Sequence, residues 1–503
     1  MATTSGFAKV RSTGGSNAVD KAWLASFDEG YDSLAESFRA GKTMPYKFRL
    51  AQLKAMERML VNEKEAIAQA LKADLNRPLC EAEIFETAPT LAEIKFAISN
   101  LKSWMAPEKV LTPPVLQMGS SYIQRIPKGV VLVLGAWNFP FHLTLTPCIS
   151  AIAAGNCVVA KPSEVSPRSA QVFKELCEKY LDPLVFRVYV GDIPEATEIL
   201  SRKFDHIFYT GNAVVGRVVM AAAAKHLCPV TMELGGKSPC IIDRGMSKAS
   251  LRIAASRLVS SALFVNAGQI CVSPDYVLVH KDAQDEVLEA LKEAVKNMSQ
   301  GASQETLGRV VNSRHFARVQ NLIQTSNGQV VCGGIDAADA TSCFMPPTII
   351  FQPDLTSPAM TEEIFGPLLM VLPVASLEEA SDFVNSRDTP LALYIFSPSW
   401  SRAQEVVNKT RSGGVAVNET FVHIGNPNMP FGGCNASGFG AYHGKYGFEE
   451  FSHKRSVLQK SLLLDVDRYP PYTDFKRKLV STVFLLPTCV QAALGWFMRC
   501  CGY

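Results

Sequence analysis

Three short stretches carry side chains that could do chemistry together. "NAGQICVSPDY" (266–276) sets Cys271 among small and amide residues, with no histidine beside it and no charge before Asp275. "GAWNFP" brings Asn138 immediately after an expected strand, and "TMELGGKSP" brings Glu233 to the end of another, before paired glycines. Singly, a turn asparagine, a capping glutamate and a small buried cysteine need no functional reading. Together, a thiol, a carboxamide and a carboxylate on one α/β chain point to a single reaction centre.

Other motifs fail on inspection. "LGGKSP" has the end of a phosphate loop, but the first glycine of that loop would fall at Thr231. There is no GxSxG elbow and no HExxH, and the eight histidines show no metal-ligand spacing, so no metal site is expected. "GFGAYHG" (438–444) follows no expected strand and reads as a tight loop.

The elements that must position these residues alternate. Residues 21–72 carry helical periodicity broken near Gly41 and Pro45, and 82–104 suggest another helix. Four apolar runs follow, in "GVVLVLGAW", "GNCVVAKPS", "FRVYVGD" and "DHIFYTGN", separated by helix-length segments. That is the pattern of parallel strands with crossover helices, a dinucleotide-binding architecture. From Gly235 a second series has "SPCIID", "DYVLVH", "QVVCGG", "PTIIF" and "LLMVLPV" as strands. There is no internal repeat.

Composition narrows the class. With 503 residues, 47% of them hydrophobic and 19% charged, the chain can build a large core, and two joined domains are expected. Fifty Lys and Arg against 47 Asp and Glu, scattered along the chain, exclude a nucleic-acid stripe. Thirteen cysteines without a CxxC pair argue for a reducing compartment, which leaves the sequons at Asn297, Asn408, Asn418 and Asn435 unmodified. The first twenty residues read as a disordered leader; two basic and no acidic residues before Asp20 are also compatible with an organellar presequence.

The other end differs. After Lys476, Arg477 and Lys478, residues 479–498 are uncharged. At about 1.5 Å each they reach roughly 30 Å, the thickness of a membrane's hydrocarbon core. Pro487 and Gln491 would also suit a helix packed on the protein body, but flanking charges favour a tail anchor with the catalytic body in the cytosol.

The chain resembles the aldehyde dehydrogenases from about residue 25 to 460. "GAWNFPFHL", "KPSE", "YTGNAVVG", "MELGGKSP", "NAGQICVS" and "EEIFGP" occur in that order, followed by "NMPFGGCNASGFGAYHGKYGFEEFSHKRSV". The ending from Gly440, with the apolar tail, is similar to the fatty aldehyde (class 3-like) branch. The resemblance implies an α/β fold with a Rossmann-type NAD-binding domain over 21–234, including bridging strands near 114–128. It implies an α/β catalytic domain over 235–425 and a return segment with a small β oligomerisation arm over 426–462. A linker over 463–478 then leads to the anchor.

It also implies roles. Cys271 would be the nucleophile, Asn138 with the Cys271 N–H the oxyanion hole, and Glu233 the base for thioester hydrolysis. Lys161 and Glu164 would reach the adenosine ribose, favouring NAD with NADP tolerated. Gly211, Asn212, Ala213, Val214, Val215 and Gly216 would face the pyrophosphate, and Glu363 and Phe365 would hold the nicotinamide ribose and ring. Cys434 stands where the family often has a small apolar residue and reads as packing. The expected substrate is a fatty or other lipophilic aldehyde, with apocarotenals and isoprenoid aldehydes as alternatives, and the expected assembly is a homodimer. Two rival readings remain: a cysteine hydrolase or acyltransferase using His142, His226 or His280, and a non-catalytic membrane-associated binder that keeps the fold.

Overall fold

The computed structural model describes residues 19–112, 119–301, 306–460, 462, 469–485, 487 and 490. Runs such as Val130–Leu134 and Cys157–Lys161 are buried at every position, as strands covered on both faces must be. Three sheets result among the described residues.

In the small sheet, β1 (Glu108–Val110) and β16 (Ser452–Lys460) flank β2 (Gly119–Pro127), all antiparallel. The first large sheet holds β3 (Val130–Leu134), β4 (Cys157–Lys161), β5 (Phe186–Val188), β6 (His206–Thr210) and β7 (Val230–Glu233). They run parallel in the order β7-β6-β3-β4-β5, which is the doubly wound dinucleotide-binding order, with a switch point between β3 and β6.

The second large sheet is ordered β10-β11-β12-β9-β8-β13-β14. Its strands are β8 (Ser238–Ile242), β9 (Pro274–His280), β10 (Gln329–Cys332), β11 (Thr348–Phe351), β12 (Leu368–Val374), β13 (Ala392–Phe396) and β14 (Gly414–Val417). All run parallel except β10. β13 and β14 lie beyond the expected series.

A further departure concerns "GFGAYHG". Its first two residues form β15 (Gly438–Phe439), antiparallel to β7 with Gly438 opposite Glu233. Gly-Phe has no strand signal of its own; the neighbouring strand imposes the conformation.

Near the N-terminus, helices cover Lys21–Arg39, Tyr46–Asn62 and Lys64–Leu75, so a break at Glu63 joins the one at Gly41 and Pro45. The expected helix over 82–104 begins as a π-helical turn, Glu83–Thr87, before Ala88–Met105. A short helix spans Asp474–Leu485, and no helix among the described residues is long and apolar enough to cross a membrane. Most of the anchor candidate at 479–498, and all of the leader through residue 18, lie outside the described residues.

Candidate active site

The carboxyl ends of the first large sheet collect the expected residues. Lys161 ends β4, Gly211 follows β6 and Glu233 ends β7. Asn138 is not directly after its strand: Gly135, Ala136 and Trp137 intervene, placing it in the turn beyond β3. Crevices outside the carboxyl ends of open parallel sheets are where such folds bind ligands.

Asn138 is buried, and its Nδ2 donates to the Gln269 carbonyl at 3.0 Å. Its own carbonyl accepts from Asn266 Nδ2 at 2.9 Å and from the Arg77 guanidinium. Arg77 is fully buried, donates to Glu86 Oε1 at 2.8 Å and lies 4.6 Å from the centre of the Phe139 ring. Glu86 in turn accepts the His142 N–H at 2.7 Å. A buried ion pair therefore fixes the turn that carries Asn138.

The amide neighbours of Cys271 build its loop. Asn266, Ala267 and Gly268 have φ of 49°, 50° and 69°, a left-handed turn that the chain adopts reluctantly outside glycine. A Cβ on Gly268 would fall 2.4 Å from the carbonyl oxygens of Ala262 and Gly366, so no other residue fits there. Gln269 Nε2 donates to the carbonyls of Asn266 and Arg309 at 2.9 and 2.8 Å, and its Oε1 accepts the Val311 N–H at 2.9 Å. These bonds hold a half-buried thiol just before β9.

The electrostatics are those of a dry acidic pocket. Both Glu233 carboxylate oxygens are buried without a hydrogen-bond partner. Burial, and then the charge of Glu450, lifts this carboxyl well above the ordinary range. Glu363 Oε1 is likewise unpartnered, and burial followed by Asp275 pushes its pKa up to about 8. The Cys271 thiol is pushed up to about 12 by burial, then by Glu363 and Glu233, while the N–H groups of Cys271 and Val272 pull it down. Tyr394 lies beside the thiol, its hydroxyl donating to the Val272 carbonyl at 2.6 Å.

The loop bearing Glu363 and Phe365 is tied from behind. Lys237 Nζ donates to the carbonyls of Ala359 and Glu362 at 2.8 and 2.9 Å, and Arg318 Nη1 donates to that of Glu363 at 3.0 Å. Phe365 has φ of 51°, and its ring meets Trp137 edge-on at 5.3 Å. A Cβ on Gly235 would lie 2.2 Å from Glu363 Oε1, so the first of the paired glycines makes room for that carboxylate.

The remaining expected residues stand on the first large sheet. Lys161 Nζ meets Glu164 Oε2 at 3.1 Å. Asn212 caps the helix Ala213–Ala224, accepting from Val214 and Val215 N–H at 3.0 Å each. Val214 and Val215 are 71% and 44% exposed, whereas Gly216 is buried.

The three histidines of the hydrolase reading are engaged elsewhere: His142 with Thr90 at 2.8 Å, His226 with the Ser201 carbonyl at 3.0 Å and His280 with the Asp282 N–H at 3.2 Å. Sequence reasoning passed over Arg77, Glu86 and Tyr394. No local signal marks Tyr394 within the apolar run "ALYIF", but Arg77 beside Pro78 was an odd charge at a helix end.

Comparison with known proteins identifies the family. Residues 17–457 match the model of the aldehyde dehydrogenase family. The dimeric NADP-preferring aldehyde dehydrogenase of Rattus norvegicus is 44% identical over 453 residues, covering 89% of this chain and 98% of that protein. Aldehyde dehydrogenase family 3 member A2 of Mus musculus is 41% identical, covering 93% of this chain and 96% of its own length. The substrate-bound AldH of Staphylococcus aureus superposes with a TM-score of 0.87 at 37% identity, over 91% of this chain and 99% of that one. The chain has the aldehyde dehydrogenase fold and belongs to the aldehyde dehydrogenase family of NAD(P)-dependent enzymes that oxidise aldehydes to acids.

Proposed function

We propose that this chain oxidises long-chain fatty or other lipophilic aldehydes, with Cys271 as nucleophile, Glu233 as base and Asn138 as oxyanion donor. The observation that carries the reading is the pair of buried carboxylates, Glu233 and Glu363, acting on one half-buried thiol beside a clamped carboxamide.

The Cys271 thiol gives up its proton to water, and the thiolate sulfur adds to the aldehyde carbon. An amide nitrogen has two hydrogens; Gln269 takes one from Asn138, leaving the other, with the Cys271 N–H, for the adduct oxygen. NAD or NADP, when bound, supplies the acceptor for the hydride that leaves the adduct carbon. Cys271 is then a thioester. Glu233 takes a proton from water, the hydroxide adds to the acyl carbon, and the carboxylic acid leaves as the thiol is restored. A carboxylate whose proton affinity is raised by burial is a stronger base than a solvated one.

The residues present suit a pyridine dinucleotide. Glu363 offers a buried, unpartnered oxygen to a ribose hydroxyl, Phe365 a ring, and the start of Ala213–Ala224 the positive end of its helix dipole to a pyrophosphate. Glu164 would accept from both adenosine ribose hydroxyls, which favours NAD, while Lys161 beside it offers charge to a 2′-phosphate, so NADP is accepted too. We read residues 21–234 as the cofactor domain and 235–425 as the catalytic one, with 426–462 returning to form the arm.

β16 has β2 on one side and no strand on the other among the described residues, and an open nine-residue edge invites a partner. A relative named as dimeric supports a homodimer built through this arm. The apolar segment 479–498 behind Lys476, Arg477 and Lys478 supports a tail anchor that keeps the body in the cytosol, at the surface where lipophilic aldehydes concentrate. The deciding experiment is a kinetic panel of short, long-chain and polyenic aldehydes with NAD and NADP, on full-length and tail-deleted protein. Long-chain aldehydes should give the highest kcat/KM on the full-length enzyme; absence of aldehyde-dependent NAD(P)H formation overturns the reading.

A further inference from the structure

We propose that Phe85 and Phe421 form an aromatic gate across the approach to Cys271, admitting aldehydes that are slender and unbranched beside the carbonyl and holding back branched ones. This rests on the aldehyde oxidation proposed above. The two ring centroids are 5.4 Å apart with the planes at 63°, the edge-to-face contact that aromatic pairs favour. Phe421 is 8% exposed, and the chain neighbours Ile84 and Val422 are 53% and 57% exposed.

Both rings are tied to the reacting groups from opposite sides. The Tyr394 hydroxyl donates to the Val272 carbonyl at 2.6 Å and accepts the Phe421 N–H, so Phe421 hangs one phenol away from the residue after the nucleophile. Phe85 immediately precedes Glu86, which accepts from Arg77, which in turn donates to the Asn138 carbonyl. One ring belongs to the thiol side and the other to the carboxamide side. Phe85, Phe421, Phe264, Ile424 and Cys271 share one apolar cluster.

The backbone at each ring is irregular. Phe85 is central in the π-helical turn Glu83–Thr87, and Phe421 has φ of 57°, an outlier for a bulky residue. A regular helix through 83–87 would shift the following side chains by about 100° per residue gained or lost, and the rings would part. Two unrelated departures from regular structure converge on one ring contact, and strained backbone of this kind clusters where a ligand is handled. A straight acyl chain needs only a ring rotation to pass. A methyl branch next to the carbonyl requires the rings to separate.

The test uses full-length protein with Phe85→Ala, Phe85→Leu and Phe421→Leu. In Phe85→Ala, the ratio of kcat/KM for 2-methylpentanal to that for hexanal should rise about tenfold or more, in the range set by one methylene in an apolar pocket. Phe85→Leu should give a smaller rise in the same direction. Access is read separately, without cofactor, as the rate of Cys271 modification by iodoacetamide and by a bulky N-aryl maleimide, followed on the Cys271 peptide by mass spectrometry. The maleimide-to-iodoacetamide ratio should rise in all three variants. Unchanged ratios in Phe85→Ala overturn the gate. Should the wild type oxidise no aldehyde with either cofactor, the activity reading fails, while the alkylation ratio still decides the gate.

Discussion

Asp275 accepts the backbone N–H of Ile364 on both carboxylate oxygens, at 3.3 Å each. One residue thus joins β9, which follows Cys271, to the loop between Glu363 and Phe365. Lys237 approaches the same carboxylate at 3.5 Å, and Asp275 and Lys237 are almost wholly withdrawn from solvent.

Asp275→Ala should therefore cost about 3–5 kcal/mol, because it strands Lys237 as a buried charge. Asp275→Asn keeps an acceptor for Ile364 and should cost less. Urea denaturation gives the order. Equal stability of all three proteins would mean that the contact contributes nothing.

Cys271→Ala should abolish aldehyde oxidation and leave NAD binding in place, since the contacts of Asn212 and Lys161 do not involve the thiol. Calorimetric titration with NAD alongside the activity assay separates the two. Normal turnover would refute the mechanism.

Glu233→Gln keeps the shape but cannot take a proton from water. Acylation should proceed and hydrolysis stall, so that mass spectrometry finds an acyl group on Cys271 after one turnover. If NAD binding is lost as well, Glu233 is a structural residue.

Glu363 makes stability depend on pH in a defined direction. Its folded pKa is about 8, against an ordinary value of 4.5, so between these limits the folded protein retains a proton that the unfolded chain has released. The stabilisation is complete below the lower value and is lost as pH rises through the upper one. Glu363→Gln cannot ionise, so its Tm should gain on wild type from about pH 5 to about pH 9. The same charge holds the Cys271 thiol up, so iodoacetamide should modify Cys271 faster in the variant above about pH 8. A variant that tracks wild type in both measurements would show that Glu363 does not ionise in this range.

Deleting residues 476–503 should release a soluble enzyme that keeps activity on short and medium aldehydes and loses disproportionately on membrane-dissolved long-chain ones. Fractionation and light scattering check it. Full-length protein in the soluble fraction, or a deletion that fails to fold, would refute the anchor; a monomer or tetramer would refute the dimer.

Cys271, Asn138 and Glu233 were legible as candidates because each sits in a short motif near a strand, where hydrophobic periodicity is easiest to read, although Asn138 lies farther out, in the turn beyond β3. Their supports were not. Arg77 lies between two helices and Glu86 in the π-helical turn, and nothing in their spacing tells a buried pair from a solvated one. Tyr394 sits in an apolar strand, where its hydroxyl is invisible to periodicity. The turn at Asn266 and Ala267 was legible only as a cluster of small and amide residues, because left-handed geometry in non-glycine residues leaves no pattern. β15 is the extreme case, two residues that are a strand only because β7 is already there.

That small strand also sets the order in which the site can be completed. The edge of β7 that carries Glu233 is covered by Gly438 and Phe439, from the far end of the catalytic body. While the chain is still emerging from the ribosome, that edge remains an open row of hydrogen-bonding groups, able to pair wrongly until the last part of the body arrives. Glu233 is thus seated late in synthesis, and an aborted chain that ends before residue 438 would have Cys271 and the crevice beyond the first large sheet yet an uncovered, aggregation-prone strand beside them.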